Sequence, residues 1–316
     1  MMNQPAVMVY LMTGFLDSGK TEFLKFTLAQ EYFQIDGKTL LILCEEGEEE
    51  YDEELLRDCN IVVETVDSQE ELTSEWLKEM NAKHHPARVV VEYNGMWRVS
   101  EFEEMELPYG WGIEQKLTVV DASTFQMYLT NLKPLFVEMV RDSELVLFNR
   151  CTDIEPLAGY RRSVKVVSPQ AEVIFEDEEG EIENIFENDV PYDLDAPVIE
   201  IRPEDYGIFY IDAMERPEMY EGKVVEYTAK AMKPKSFPAQ VFFPGRMAMT
   251  CCADDTSFLG FVCKYADAPK IKAGQWVTVR GKIGYENLAV YEGTGPVVFA
   301  EKVELADEIK ELVYFN

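Results

Sequence analysis

The stretch Gly14-Phe15-Leu16-Asp17-Ser18-Gly19-Lys20-Thr21 constrains this chain more than any other. It satisfies G-x-x-x-x-G-K-[ST], the phosphate-binding loop pattern, at every defined position. The glycines let backbone N–H groups close around phosphate oxygens, Lys20 has the length to reach the outer phosphates, and the Thr21 hydroxyl suits Mg²⁺. The flanks agree. Val7-Met8-Val9-Tyr10-Leu11-Met12 is a short apolar strand, and Phe23, Leu24, Phe26, Thr27 and Leu28 have amphipathic-helix spacing. Gly14, Asp17, Ser18, Gly19, Lys20, Thr21 and Glu22 are therefore candidate nucleotide-binding residues. Asp17 and Glu22 put negative charge beside a polyphosphate, so a modest affinity is expected unless both point to solvent.

Further strands follow at regular intervals. Residues 39–44 form a buried apolar run ahead of an acidic stretch, residues 45–54. That stretch is either a solvated loop or a carboxylate set at the C-terminal end of a parallel strand, where Glu45 and Glu48 would ligate a divalent cation. Ile61-Val62-Val63-Glu64 is another strand, and Ser68 with Glu71 has capping-box spacing ahead of a helix through Leu72, Trp76, Leu77 and Met80. Arg88-Val89-Val90-Val91-Glu92 ends in an acid. Glu92 is the candidate catalytic carboxylate, placed to hold Mg²⁺ or water, with Lys20 as its cationic counterpart. Apolar strands at 116–121 and 144–149 complete an alternation that predicts an α/β P-loop NTPase domain, mostly parallel sheet with helices on both faces, over residues 1–175.

The net charge of −31 is uneven: −28 falls in residues 1–200 and −3 in residues 201–316. The acidic part repels nucleic acid and anionic membrane, so no nucleic-acid partner is expected. The N-terminal residues lack a basic n-region, and no apolar run reaches the roughly 18 residues needed to span a bilayer. A cytoplasmic location is the expectation. Six cysteines without disulfide-framework spacing then read as free thiols or metal ligands.

Residues 176–200 are acidic and turn-rich, the expected linker. Beyond them, short strands separated by turn signals predict an all-β OB-like barrel over residues 201–316. Cys251 and Cys252 are adjacent, and Cys263 lies on a nearby strand. The three are either a thiol or metal site, Zn²⁺ being the natural ion, or small buried hydrophobes.

Several of these elements resemble the CobW-type metallochaperone GTPases, in the right order and over roughly residues 6–175. Gly14–Thr21 is similar to that family's G-F-L-G-[AS]-G-K-T loop. Cys44-Glu45-Glu46-Gly47-Glu48 with Asp52 resembles its N-E-F-G-E…D segment. Glu92-Tyr93-Asn94-Gly95 resembles its E-[TS]-[TS]-G element, Val119-Val120-Asp121-Ala122 its V-V-D-A strand, and Ser168-Pro169-Gln170-Ala171 its N-P-x-A turn. The resemblance implies a GTPase using Mg²⁺, metal-handling partners, and a link to zinc or cobalt; it leaves a homodimer open. Two departures stand out. In the interval where the family has C-x-C-C, this chain has only Cys59. In place of N-K-x-D, which reads guanine, Asn149-Arg150-Cys151-Thr152-Asp153 puts the acid one residue late. The second part resembles a β-rich C-terminal domain of bacterial proteins found alongside predicted membrane permeases, through residues 246–254 and 274–281. The alternatives to a GTPase are a nucleotide-dependent scaffold with little turnover and a thiol-based metal or redox sensor working through Cys251 and Cys252.

Overall fold

The computed structural model describes residues 5–45, 47, 49–154, 156–182, 185, 190–249 and 256–313. It divides into two compact units, residues 1–157 with 167–185, and residues 158–166 with 186–316. In the first unit the order is β1 (Val7–Thr13), α1 (Lys20–Ala29), β2 (Thr39–Leu43), α2 (Glu53–Asp58), β3 (Ile61–Thr65), α3 (Ser74–His84), β4 (Arg88–Glu92) and α4 (Val99–Glu103). Then come β5 (Trp111–Asp121), α5 (Phe125–Asn131), α6 (Lys133–Val140), β6 (Leu145–Asn149), β7 (Glu172–Asp177) and β8 (Gly180–Glu181).

The strands lie in the order β3-β2-β4-β1-β5-β6-β7-β8. β1 to β7 are mutually parallel, and β8 closes an antiparallel hairpin on β7. Met12, Leu41, Val90, Leu117 and Val119 pack with Leu24 and Leu28 of α1. Leu40, Ile42, Val89 and Val91 have the opposite strand parity and are also fully buried. Both sheet faces are therefore covered, which is why these strands are near-continuous apolar runs instead of alternating ones. The chain winds outward from β1 to β3, returns to insert β4, then proceeds through β5 to β7 on the other side. The C-terminal ends of β4, β1 and β5 thus meet at the point of reversal, where open α/β sheets take ligands.

Helix α3 starts later than the Ser68–Glu71 spacing suggests. Residues 68–72 form turns, with Glu71 N donating to Ser68 O at 3.1 Å, and Thr73 is the N-cap, accepting from Trp76 N at 3.2 Å. Ser68 spends its backbone on the turn, so the hydroxyl nearest the true helix start does the capping.

The second unit contains α7 (Leu157–Lys165), β9 (Ile199–Glu200), α8 (Tyr206–Glu215), α9 (Pro217–Tyr220), β10 (Val224–Met232), β11 (Val241–Met249), β12 (Thr256–Gly260), β13 (Val262–Lys264), β14 (Trp276–Leu288) and β15 (Gly293–Leu305). β10 pairs with both β11 and β14; β13 joins β11 to β15, and β14 pairs with β15. These five strands close into an OB-like barrel. Numbered along the chain they follow one another as 1-2-3-5-4-1, the third and fifth parallel. β11 runs on through Pro244-Gly245, where it changes partner from β13 to β12. α8 and α9 are additions that the alternation of short strands did not suggest.

Two polar devices tie this unit together. Asp212 accepts from Arg216 at 2.7 Å through both Nε and Nη2 and from Tyr220 at 2.6 Å, and Tyr220 shares a hydrogen with Tyr192 at 2.7 Å. Arg246, buried on β11, donates to Pro203 O ahead of α8 and to Glu311 O after β15. Among the described residues no helix is long and apolar enough to cross a membrane.

Phe209 of α8 is fully buried against Tyr206, Tyr220, Tyr227 and Phe261. Phe209→Ala is expected to destabilise the second unit by about 3–5 kcal/mol, measured as a lowered denaturation midpoint of the barrel transition.

Candidate functional site

The loop after β1 is shaped by backbone that only some residues tolerate. Gly14 has φ +145°, and a Cβ there would lie 2.3 Å from Val119 O; at Gly19, φ +94°, a Cβ would lie 2.5 Å from Asn149 Nδ2. Asp17 has φ 57°. The fourth position of the G-F-L-G-[AS]-G-K-T pattern is glycine, and aspartate is among the few other residues that enter this left-handed region readily. Asp17 and Glu22 are both exposed, and Glu22 lies 3.7 Å from the guanidinium of Arg150.

Helix α1 begins at Lys20 with Gly19 as its N-cap and no side-chain cap. Its first-turn N–H groups have no acceptor within the helix and sit at the positive end of its dipole. Ser18 Oγ is buried beside them without a hydrogen-bond partner. A loop with no room for side chains, an uncapped helix start and a buried orphan hydroxyl suit the phosphates of a nucleotide.

Two carboxylates complete the site. Lys20 is buried; its Nζ donates to Gly14 O at 3.0 Å and Phe15 O at 2.9 Å, and it pairs with Glu45 Oε1. The other oxygen of Glu45 accepts the backbone N–H of Gly95 at 3.3 Å. Gly95 approaches the loop so closely that a Cβ would lie 2.5 Å from Gly14 O. Glu92, buried at the end of β4, accepts from Thr21 Oγ1 at 2.7 Å and from the Tyr51 hydroxyl at 2.6 Å. Burial, reinforced by the charge on Glu92, raises the Tyr51 pKa far above its ordinary value, so the phenol stays a donor. A cavity of about 460 Å³ opens here, lined by Thr21, Glu45, Tyr51, Leu56, Val63 and Glu92 among others. No sequence pattern marked Tyr51: it is one side chain in an acidic stretch, and only the fold brings it to Glu92.

The other end of the loop is held by the segment after β6. Asn149 Nδ2 donates to Ser18 O at 2.8 Å, and Arg150 Nη1 donates to Asp17 O at 2.8 Å and to Asp121 Oδ2 at 2.6 Å. Burial opposes ionisation of Asp121, but hydrogen bonds from Ser123 and Arg150 outweigh it and hold the carboxyl below its ordinary range. Asp153 is exposed on a turn, at φ 60°. The structure thus gathers Gly14, Ser18, Gly19, Lys20, Thr21, Glu45, Glu92, Asn149 and Arg150 around the loop, while Asp153 stays at the surface.

Magnesium is commonly held by one or two protein oxygens together with substrate phosphates, and Thr21 with Glu92 suits that role. For a softer ion the described residues offer less. No group of three or more His, Cys, Asp or Glu among them could hold a metal ion. Glu48, Cys251 and Cys252 lie outside the described residues. Cys263 is fully buried in the barrel core, where burial pushes its thiol pKa up and keeps it neutral.

A strand, glycine-rich loop and helix at the reversal point of a parallel sheet define a P-loop nucleotide-binding fold. Residues 8–175 match the family model described as CobW/HypB/UreG, nucleotide-binding domain, and the chain belongs to that family. Residues 179–315 match the model of the DUF1980 C-terminal domain. Among solved structures, the Zn(II)-bound YjiA GTPase from E. coli is similar at 16% identity, covering 89% of this chain and 87% of its own, with a TM-score of 0.43. The hydrogenase maturation factor HypB from Archaeoglobus fulgidus is similar at 16% identity, covering 55% of this chain and 83% of its own, with a TM-score of 0.39. No curated protein matches the chain.

Because Asp121 has a depressed pKa, its contribution to stability is present above the ordinary carboxylate value and is lost as pH falls through the folded one. Arg150→Ala is expected to cost about 1 kcal/mol or less near neutrality, since Arg150 is half exposed. That deficit should shrink towards pH 3, as followed by denaturant midpoints of wild type and variant across the range.

Proposed function

We propose that this chain is a magnesium-dependent GTPase of the CobW/HypB/UreG family, acting in the cytoplasm and coupling nucleotide hydrolysis to a metal-handling partner or a membrane permease. The observation that carries the reading is the convergence of Lys20, Thr21 and Glu92 on the loop that opens α1. Lys20 and the loop amides would meet the outer phosphates and stabilise charge that builds up as the phosphoryl group departs. Thr21 would ligate Mg²⁺, which when bound would offset negative charge on the outer phosphates. Glu92, its second oxygen fixed by Tyr51, would orient a water or share the ion. Asn149 and Arg150 would place the base end of the nucleotide against the loop; the exposed Asp153 would reach a guanine edge only after its turn rearranges.

A second reading is a nucleotide-dependent scaffold with little turnover. It is favoured by the pairing of Lys20 with Glu45, which occupies the ammonium that catalysis would use.

Phosphate release from GTP and ATP, measured with Mg²⁺, separates the two. The GTPase reading expects faster release from GTP and a loss of about 100-fold or more in Lys20→Ala. Tight GTP binding with release no faster than in Lys20→Ala favours the scaffold.

A further inference from the structure

The Glu45 carboxylate is held as a phosphate oxygen would be held. One oxygen lies on the ammonium of Lys20, the other on the backbone N–H of Gly95 at 3.3 Å. Both side chains are nearly excluded from solvent, with 2% of Lys20 and 9% of Glu45 exposed. An ammonium and a main-chain amide converging beside a glycine-rich loop form an anion site, and here the anion comes from the chain itself. A phosphoryl group reaching Lys20 at this point would stand against the carboxylate at contact distance, where two buried like charges repel strongly.

We propose that Glu45 is an internal surrogate for the outermost phosphoryl group of a nucleoside triphosphate, competing with it for Lys20 and Gly95 and thereby setting the discrimination between tri- and diphosphate. This rests on the nucleotide-binding reading above and adds a specificity determinant to it. A diphosphate is held by the loop amides and by Lys20 through its terminal phosphate, leaving the place of the carboxylate to the additional phosphoryl group of a triphosphate. A triphosphate must evict it. Glu45 opens the segment that runs to Asp52, whose far end is tied to α1 and β4: Lys25 Nζ donates to Glu50 O at 3.0 Å, and Tyr51 donates to Glu92. Tyr51, six residues after Glu45, is thus in contact with the candidate catalytic carboxylate.

The test is a calorimetric titration of the full chain and of Glu45→Gln with GDP and with the β,γ-imido analogue of GTP, Mg²⁺ present. The expected result is that E45Q binds the triphosphate analogue about tenfold or more tightly than wild type, a charge-assisted contact having been removed from the competition. GDP affinity should change by less than about threefold. Glu45→Ala, which removes the carboxylate altogether, should give the same ordering and stands in where the glutamine variant does not fold. Unchanged triphosphate affinity overturns the inference, as does equal tightening of both nucleotides. Weaker triphosphate binding overturns it too, as the outcome of a magnesium ligand lost. If neither wild type nor variant binds either nucleotide, the nucleotide-binding reading falls and takes this inference with it.

Discussion

A buried ammonium has to be compensated within hydrogen-bond reach, and that requirement organises the first unit. Lys20 sits at the first position of α1 with almost no exposed surface, so its charge would cost several kcal/mol if left alone. Compensation comes from Gly14 O, Phe15 O and Glu45. Each partner implies a neighbour. The Gly14 carbonyl is in reach because a left-handed-region glycine turns the chain beneath Val119. Glu45 arrives because β2 ends beside β4, with Cys44 N bonded to Glu92 O at 3.0 Å. Gly95 fits against the loop because it has no side chain. The strand order places these three segments side by side, and the ammonium draws their polar groups together.

The second unit meets the same requirement with different means. Asp212 is compensated by a guanidinium one helical turn on and by a tyrosine hydroxyl, so the pair stays within α8 and the short helix after it. Arg246 finds only main-chain carbonyls, and it finds them at both ends of the barrel segment. These contacts tie segments of the second unit together, whereas Ser18 and the residues around Thr21 border cavities.

Much of the first unit was legible because its signals are local. A loop whose residue types are dictated by backbone crowding, and strands whose apolar runs are dictated by two covered faces, can be recognised without partners. The capping of α3 was misplaced because Ser68 and Thr73 are both plausible caps and only the turn at 68–72 decides between them. Helix α8, with the sequence Tyr-Gly-Ile-Phe-Tyr-Ile-Asp-Ala-Met-Glu, is rich in residues that favour strands and is helical because its aromatic rings fill the barrel end. The contacts of the site were the least legible. Asn149 also grips Ser18 O through its amide, a contact no sequence pattern announces, and Tyr51 and Glu45 meet partners about 40 and 25 positions away in sequence. Such roles are set by register between strands, which the residues themselves do not encode.

The guanidinium of Arg246 gives the barrel an order of assembly. Two of its nitrogens find acceptors only when residues on both sides of the five-stranded ring, 43 and 65 positions away, have come home. A nascent polypeptide would therefore hold this cation half-solvated until Glu311 has emerged and docked, and the ring would lock at that point instead of growing strand by strand. The sheet of the first unit draws no strand from that stretch, so its strand pairing does not depend on the ring having locked.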